Sequence, residues 1–389
     1  MVLVICMIAA LFAGCGSGET KTSPAPAAPS AAEGKATEAK GSITIGCMAP
    51  LTGNWAEHGK GFQVAMTMAA EEINAAGGIN GRELVLKFGD SEGDNAKATD
   101  VATAFADEKD IVAIMGGFSS GCCLSAAPVL EDYGIALTSP SASNIAFAKS
   151  NKYSFSIGGK SSEEAPFLLK IGAADIFKAK SVAIFGLNSD WGVSALAGAK
   201  AGAEEAGIEV LACEQYISGE TDFSALITKV RAIKPDMIII LDQSPSILIN
   251  QIRSAGIDTP IGIFGSSISQ EVIDLCGENA EGCIVTGTYT ATDGSDPVGT
   301  AFKEEFMKRA GFAPTIMATS AYVVTYMYAH ALERCGDNIT RENFRDQLEA
   351  ADEDTLIGHV VFDQDGNISL NYRIYQVTDG AWKMVDYNY

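Results

Sequence analysis

Two serine-rich loops carry the residues best suited to binding a small anion. Met115–Gly121 (MGGFSSG) follows one predicted strand and opens a predicted helix, and Leu137–Asn144 (LTSPSASN) follows the next strand. Because the carboxyl ends of neighbouring parallel strands share one edge of a sheet, we expect the two loops to converge. Hydroxyl groups and the free N–H groups of a helix N-terminus can bind a carboxylate without a cation. Alternatively, these serines only cap helices and form turns.

Residues at the ends of later strands could close the other side of such a site. Asn188–Gly192 (NSDWG) follows an apolar strand predicted at 181–187, and Trp191 could cover a ligand held between two domains. Asp242 ends the run IIILD and could pair with a cationic group on a ligand. Ser267, after the next strand, is a weaker candidate. As ordinary surface residues, the tryptophan and the acid would have no such function.

Sequence motifs for catalysis or cofactor binding are poorly matched. Gly158–Ser161 (GGKS) ends like a phosphate-binding loop, but Ser154 stands where that motif requires glycine. None of the three histidines belongs to an HExxH motif. The pair Cys122-Cys123 fits buried packing better than thiol chemistry, although an exported thiol-dependent enzyme remains a hypothesis. We therefore predict a binding protein with no catalytic residue, no metal and no cofactor.

The charge balance excludes two classes of partner. The chain carries 27 basic and 49 acidic residues, a formal net charge of −22. Surfaces that bind nucleic acids or anionic membranes need clustered cations, so neither kind of binding is expected. At 389 residues the chain exceeds one typical hydrophobic core, and two domains are predicted.

The N-terminal residues predict export and attachment to a membrane through a lipid. Residues 1–15 form an apolar signal peptide that ends at Cys15 and is shorter than the about 20 residues that cross a bilayer. The small residues before Cys15 resemble the lipobox of bacterial lipoproteins, whose cysteine is lipidated, although Phe12 and the lack of a preceding cation depart from that pattern. An ordinary signal peptide is the alternative. Residues 16–41, rich in Ala, Pro, Ser and Gly, are expected to be a flexible linker.

Short apolar strands alternate with amphipathic helices along most of the chain. This alternation predicts an α/β fold with parallel sheets and helical crossovers. Predicted strands lie at 43–48, 84–89, 111–115, 135–138, 153–157, 181–187, 208–216, 236–241, 261–264 and 283–289. Predicted helices lie at 63–76, 95–108, 122–132, 162–177, 192–206, 222–233, 246–255, 298–310, 317–334 and 341–350. In the tail, strands 355–362 and 370–377 are predicted to form a hairpin.

Cysteine usage leaves the disulfide content open. Nine cysteines, less Cys6 in the signal peptide and Cys15, leave seven, so at least one thiol is free or pairs outside the chain. Cys276 and Cys283 bracket a short turn and are the best candidates for a disulfide. The others are expected to be small buried hydrophobic residues.

Several segments resemble one protein family. PLTGNWAEHGKG, AAEEINAAGGINGR, GGFSSG, APVLEDYGIALTSPSAS and ITKVRAIKPDMIII are similar to the branched-chain amino acid receptors of bacterial ABC importers, which are type I periplasmic binding proteins. The resemblance implies two Rossmann-like α/β lobes joined by three hinge crossings near 158–161, 288–292 and 369–372. Lobe 1 would comprise 42–160 with 291–370, and lobe 2 would comprise 161–290 with 371–389.

The resemblance also implies a ligand site between the lobes. The ligand carboxylate would be held by Ser120, at the helix start with Gly121, and by the second serine loop. Trp191 would cover the ligand, and a residue at the entrance matches His58, with Trp55 close by. The complete set of predicted site residues is Trp55, His58, Ser120, Gly121, Ser141, Ala142, Ser143, Trp191, Asp242 and Ser267.

One departure from the family concerns the acid that pairs with a ligand ammonium. The matching position is Ser267, which carries no charge, and a buried ammonium without a counter-charge is costly. Either Asp242 or Asp190 replaces that acid, or the ligand is not an α-amino acid. We predict a monomeric receptor that delivers a small carboxylate, foremost an apolar or branched-chain amino acid, to an ABC permease and ATPase. A sensor subunit for amides, ureas or aromatic acids is the alternative.

Overall fold

The computed structural model describes residues 41–288 and 296–387. The predicted signal peptide, the predicted lipidation site Cys15 and the predicted linker up to residue 40 lie outside the described residues, as does most of the predicted crossing at 288–292. Among the described residues, every helix is too short or too polar to cross a membrane.

The first sheet collects the N-terminal strands. All of its paired strands are parallel, and their spatial order is β2-β1-β3-β4-β5. These strands are β1 (Ser42–Ala49), β2 (Glu83–Asp90), β3 (Ile111–Gly116), β4 (Leu137–Ser139) and β5 (Ser154–Ser156). The third and fourth strands are neighbours, so the two serine loops leave the sheet side by side at its carboxyl edge.

Helices cover both faces of the first sheet. One face packs against four helices, three of which come from the C-terminal third of the chain: α1 (Ala56–Ala75), α9 (Pro297–Ala310), α10 (Ile316–Cys335) and α11 (Arg341–Glu349). The other face packs against α2 (Asn95–Asp107) and α3 (Ser120–Asp132). The chain therefore returns to the first sheet after building the second one.

The second sheet is mixed rather than fully parallel. Its strand order is β14-β13-β10-β9-β8-β6-β7, with antiparallel pairing only at the β10-β13-β14 end of the described ladder. The strands are β6 (Ser181–Leu187), β7 (Glu209–Tyr216), β8 (Met237–Leu241), β9 (Ile261–Ile263), β10 (Ile284–Thr288), β13 (Tyr372–Thr378) and β14 (Ala381–Met384).

Two groups of helices cover the second sheet. The first group is α4 (Ser161–Phe167), its direct continuation as a π-helix (Leu168–Ile176), and α5 (Asp190–Glu205). The second group is α6 (Ser224–Ile233), α7 (Ser246–Ser254) and α8 (Gln270–Cys276). In both groups, buried aliphatic side chains face the sheet, and the burial of their apolar surface stabilises the packing of the helices on the sheet.

The predicted tail hairpin is wrong. Residues 352–355 (β11) pair instead with 358–361 (β12) across a tight turn. The strand β13 pairs with β10, about ninety residues earlier in the chain, because this pairing buries Ile374 in the core of the second sheet. The segment between β12 and β13 passes along the first sheet, where Asn367 forms a β-bridge with Ser156.

The predicted disulfide is absent from the structure. Cys276 and Cys283 are free thiols. Each lies against a different backbone carbonyl, with the sulfur of Cys276 3.8 Å from the oxygen of Ser246 and that of Cys283 3.9 Å from the oxygen of Asn279. Both behave as buried apolar residues, and burial raises the pKa of Cys283 to about 12.

Candidate functional site

A cavity of about 50 Å³ lies where the carboxyl ends of strands from the two sheets face each other. That volume holds only a few water-sized groups, so the enclosed part of the site suits a small ligand. Its polar lining residues are Ser119, Ser120, Ser141, Ser143, Glu164, Gln243, Ser266, Thr288, Ser320 and Tyr372. Its apolar walls are Phe118, Pro140, Ile157, Trp191, Phe264, Ile316, Met317 and Leu370, completed by Gly158, Gly265 and Gly287.

Two serines on the first-sheet side have hydroxyl protons free to donate. The oxygen of Ser120 accepts a hydrogen bond from the backbone N–H of Asn144 at 3.2 Å. The oxygen of Ser143 accepts one from the indole N–H of Trp191 at 2.9 Å. Among the described residues neither hydroxyl donates to a protein acceptor, so both protons are available to an anion in the cavity.

The start of α3 adds backbone donors beside these hydroxyls. Ser119 caps the helix by accepting from the N–H of Cys122 at 3.1 Å. The N–H groups of Ser120 and Gly121 have no acceptor among the described residues, as expected for the first turn of a helix. Their positive potential favours a negative group at this end of the cavity.

The second serine loop is held rigid by its own hydrogen bonds. Ser139 donates to the carbonyl of Gly117 at 2.7 Å and accepts from the N–H of Ala142 at 2.8 Å. Ser141 donates its proton to the carbonyl of Phe118 at 2.7 Å. Ser141 thus lines the cavity with its proton already committed, and Ala142 does not line it at all.

Trp191 connects the two sides of the cleft, as its place in the predicted site requires. It is buried, it lines the cavity, and its ring packs edge-on against Phe264 with centroids 5.2 Å apart. Its indole N–H reaches Ser143 on the opposite side. A second bond across the cleft joins the side-chain amide of Asn144 to the carbonyl of Asp190 at 2.9 Å.

Glu164, on the first turns of α4, is a lining residue that the sequence did not single out. Its side chain is buried, and its Oε1 accepts from the N–H of Gly265 at 2.9 Å and from the hydroxyl of Thr286. Desolvation raises the pKa of its carboxyl to about 7. The sequence does place an acid here, at the start of a helix that follows a predicted crossing. It does not distinguish Glu164 from its neighbour Glu163, which has the same sequence context.

The loop at the position of the missing acid contributes uncharged groups. Ser267 is buried, lies outside the cavity, and donates to the carbonyl of Asp242. The neighbouring Ser266 lines the cavity instead, as does Thr288 at the end of β10. The hydroxyl oxygens of Ser266 and Thr288 are buried and have no hydrogen-bond partner among the described residues.

Neither predicted replacement acid lines the cavity. Asp242 accepts from the hydroxyl of Tyr216 at 2.7 Å and from the N–H of Ser244 at 2.9 Å, and it borders a separate cavity of about 300 Å³. Asp190 is exposed at the start of α5. A Cβ added to Gly121 would lie 2.9 Å from Oδ2 of Asp190, so this acid borders the outer side of the α3 N-terminus.

The two predicted entrance residues lie behind or beside the cavity. His58 stacks on Phe118 with ring centroids 4.6 Å apart, and burial lowers the pKa of its imidazole to about 4. Trp55 lies 5.3 Å from the same phenylalanine ring and lines the separate cavity that borders Asp242. His58 therefore supports a cavity wall rather than contacting a ligand in the enclosed space.

The segment Gly117–Gly121 (GFSSG) has the G-x-S-x-G spacing of a hydrolase nucleophile motif, an exception to the expectation that catalytic motifs are poorly matched. Its central serine, Ser119, is occupied as a helix cap. Among the described residues, no histidine shares a hydrogen bond with Ser119, so the base that would activate a nucleophile is missing. The geometry supports ligand binding at this loop.

Comparison with known proteins identifies the family. A family model described as periplasmic binding protein matches residues 42–381, nearly all of the described chain. The chain belongs to the periplasmic binding protein family. The members of this family work outside the cytoplasm and are binding proteins, and the fold of two sheets with a shared cleft is the family's fold.

Individual relatives of this periplasmic binding protein are distant but cover its length. Leu/Ile/Val-binding protein homolog 1 of Brucella suis is 26% identical over 346 residues, which span 87% of this chain and 91% of that protein. The branched-chain amino acid transporter substrate-binding protein of Streptococcus pneumoniae, solved with isoleucine, has a TM-score of 0.80 and 25% identity, covering 88% of this chain and 99% of its own. A leucine-binding protein of Thermotoga maritima reaches a TM-score of 0.82 at 22% identity, with coverages of 88% and 98%.

Proposed function

We propose that this protein is the receptor of an ABC importer and that it binds a small carboxylate, an apolar amino acid foremost, between its two sheets. The observation that carries the proposal is the pair of hydroxyl protons on Ser120 and Ser143, set beside the first backbone N–H groups of α3; no described residue accepts a hydrogen bond from any of them. Named relatives that bind leucine, isoleucine or valine support it. The receptor would pass its ligand to a membrane permease driven by an ATPase.

The proposed receptor works by closing its two lobes around the ligand. We propose 42–160 with 291–370 as lobe 1, and 161–290 with 371–389 as lobe 2. The hydrogen bonds from Trp191 and Asn144 across the cleft support this division, because they would form only on closure. A ligand that contacts both sides shifts the equilibrium toward the closed form. Anchoring through Cys15 stays a prediction of the sequence.

Isothermal titration of the purified protein with the standard amino acids tests this proposal. We expect one site per chain and tightest binding among apolar amino acids. Ser120→Ala with Ser143→Ala should weaken that binding by about 100-fold or more, since each hydroxyl contributes a hydrogen bond to a charged group worth about 1.5–3 kcal/mol.

The control is a double variant of two exposed serines outside the cavity, Ser162→Ala with Ser254→Ala. It should bind like the wild type. Unchanged affinity in the Ser120/Ser143 double variant, with its thermal unfolding intact, would show that the carboxylate is not held at this end of the cleft.

A further inference from the structure

Glu164 is a buried acid that faces a ligand-sized space without a cation. It is 7% exposed, it lines the cavity, and no Lys, Arg or His among the described residues forms an ion pair with it. Gly265 and Thr286 both donate to Oε1, and no described residue donates to Oε2. A buried carboxylate in this state is costly unless something else supplies positive charge.

We propose that Glu164 binds the ammonium group of an α-amino acid ligand and thereby replaces the acid that is missing at Ser267. This inference rests on the proposed function, because it assigns the second charged end of the same ligand. The carboxylate end would lie at Ser120, Ser143 and the α3 N-terminus, and the ammonium end at α4.

The backbone geometry places Glu164 close to the carboxylate end. Ser161, at the start of α4, donates its N–H and its hydroxyl to the carbonyl of Ser143 at 2.8 and 3.0 Å. Glu164 lies three residues further along that helix, a rise of about 4.5 Å. This is slightly less than one helical turn, so a single small molecule can contact both the serine loop and Glu164.

The loop after β9 is shaped around the Glu164 carboxylate. A Cβ added to Gly265 would lie 2.5 Å from Oε1 of Glu164, so only glycine lets the acid approach the backbone here. The same loop turns Ser267 away, toward the carbonyl of Asp242. The position where the family resemblance implies an acid thus holds an uncharged serine outside the cavity, whereas Glu164 of α4 lines it.

Two unpartnered hydroxyl groups complete an acceptor set for an ammonium. The buried oxygens of Ser266 and Thr288 line the same cavity and lack hydrogen-bond partners among the described residues. An ammonium carries three N–H donors, and one carboxylate with two hydroxyl oxygens can accept all three. Asp242 and Asp190 are excluded from this role because neither lines the cavity.

The same arrangement selects against carboxylates that have no ammonium. A ligand carboxylate and an ionised Glu164 would repel each other across a small space of low dielectric. A ligand ammonium between them removes the repulsion and stabilises the ionised form of Glu164. Because burial holds the pKa of Glu164 near 7, an amino acid that binds at pH 7 should displace about half a proton.

The test compares matched pairs of probes by isothermal titration on the wild type and Glu164→Gln. The pairs are leucine with 4-methylpentanoate, alanine with propanoate, and phenylalanine with 3-phenylpropanoate. In the pair whose side chain fits the cavity, the wild type should bind the amino acid more tightly than its deaminated analogue. Glu164→Gln should bind that amino acid about 100-fold or more weakly than the wild type does. The variant should bind the deaminated partner as well as the wild type does, or more tightly.

Proton release provides a readout that a purely structural role for Glu164 would not change. Titrations in buffers of different ionisation enthalpy should show proton release by the wild type at pH 7 and none by Glu164→Gln. Glu163→Gln is the matched control, since it removes an equal charge from the adjacent residue, which does not line the cavity. That control should keep both the affinity and the proton release.

The outcomes separate this inference from the proposed function. If amino acids bind the wild type and Glu164→Gln equally well, or if deaminated acids bind the wild type as tightly as amino acids, Glu164 does not bind an ammonium and only the inference fails. If no amino acid and no deaminated acid binds the wild type, the proposed carboxylate receptor fails as well.

Discussion

Glu164 is kept in the folded protein at a cost in stability that depends on pH. Its pKa rises from 4.5 to about 7 on burial, so the unfolded chain releases this proton at lower pH than the folded chain does. Between these two values the unfolded state binds fewer protons, and stability falls as pH rises. Above pH 7 the full cost, on the order of 3 kcal/mol, is present.

Glu164→Gln should therefore stabilise the ligand-free protein at neutral and alkaline pH. The gain should be near zero at pH 4.5, grow up to about pH 7 and then stay constant at no more than about 3 kcal/mol, because glutamine can still accept from Gly265. Urea unfolding at several pH values measures this difference. A gain that is the same at pH 4.5 and pH 8 would contradict the assignment of a buried ionisable carboxyl.

The individual site residues differ in how well the sequence could reveal them. Ser120 and Ser143 were predictable because they follow adjacent parallel strands, whose carboxyl ends must meet. Glu164 was not, because an acid in the first turns of a helix usually favours the helix dipole in solvent, as Glu163 does. Only the tertiary structure shows that one of these two neighbours is buried and the other is not.

At the scale of elements, the loop after β9 connects the second sheet to the site. Its Gly265 donates to Glu164 and lies so close to Thr286 that an added Cβ would be 2.8 Å from the carbonyl oxygen of that strand residue. The carboxylate position thus depends on the loop keeping its backbone against both α4 and β10.

Gly265→Ala should displace the Glu164 carboxylate or the loop. We expect a loss of about 1–3 kcal/mol in stability, as for other overpacked sites, and weaker binding of leucine. Gly61→Ala is a suitable control, because its Cβ would meet Ala318 at an ordinary 3.5 Å within α1. Thermal unfolding and titration check both variants; a Gly265→Ala protein as stable and as active in binding as the wild type would refute this role of the loop.

Most elements were predictable from periodicity, and the exception has a clear cause. The helices and the parallel strands follow from local apolar patterns that short crossovers then join. The tail strands were misassigned because β13 pairs with β10, a strand distant in the sequence, and no local pattern encodes that choice. The prediction of a Cys276–Cys283 disulfide was wrong for a similar reason, because close spacing in the sequence does not by itself bring two sulfur atoms into bonding distance.

At the scale of the whole molecule, the two sheets line the cleft with chemically different groups. The first sheet supplies hydroxyl and helix N–H donors, which suit a carboxylate. The second supplies the Glu164 carboxylate and two hydroxyl oxygens, which suit an ammonium and for which the described part of the chain provides no cation and no hydrogen-bond donor, respectively. On the proposed assignment, a zwitterion would contact the first-sheet side through its carboxylate and the second-sheet side through its ammonium. Such a ligand would favour closure of the cleft because it binds to both sides. A ligand with only one charged end would bind to the polar groups of one side only.

A crystal structure of the protein with a bound α-amino acid, leucine foremost, tests this account most directly. We expect the ligand carboxylate within hydrogen-bond distance, about 2.7–3.2 Å, of Ser120 and the α3 N–H groups, and the ammonium equally close to Glu164. Trp191 should retain its bond to Ser143 over the bound ligand. An amino acid bound with its ammonium at Asp242, at Asp190 or in solvent, and away from Glu164, would contradict the account.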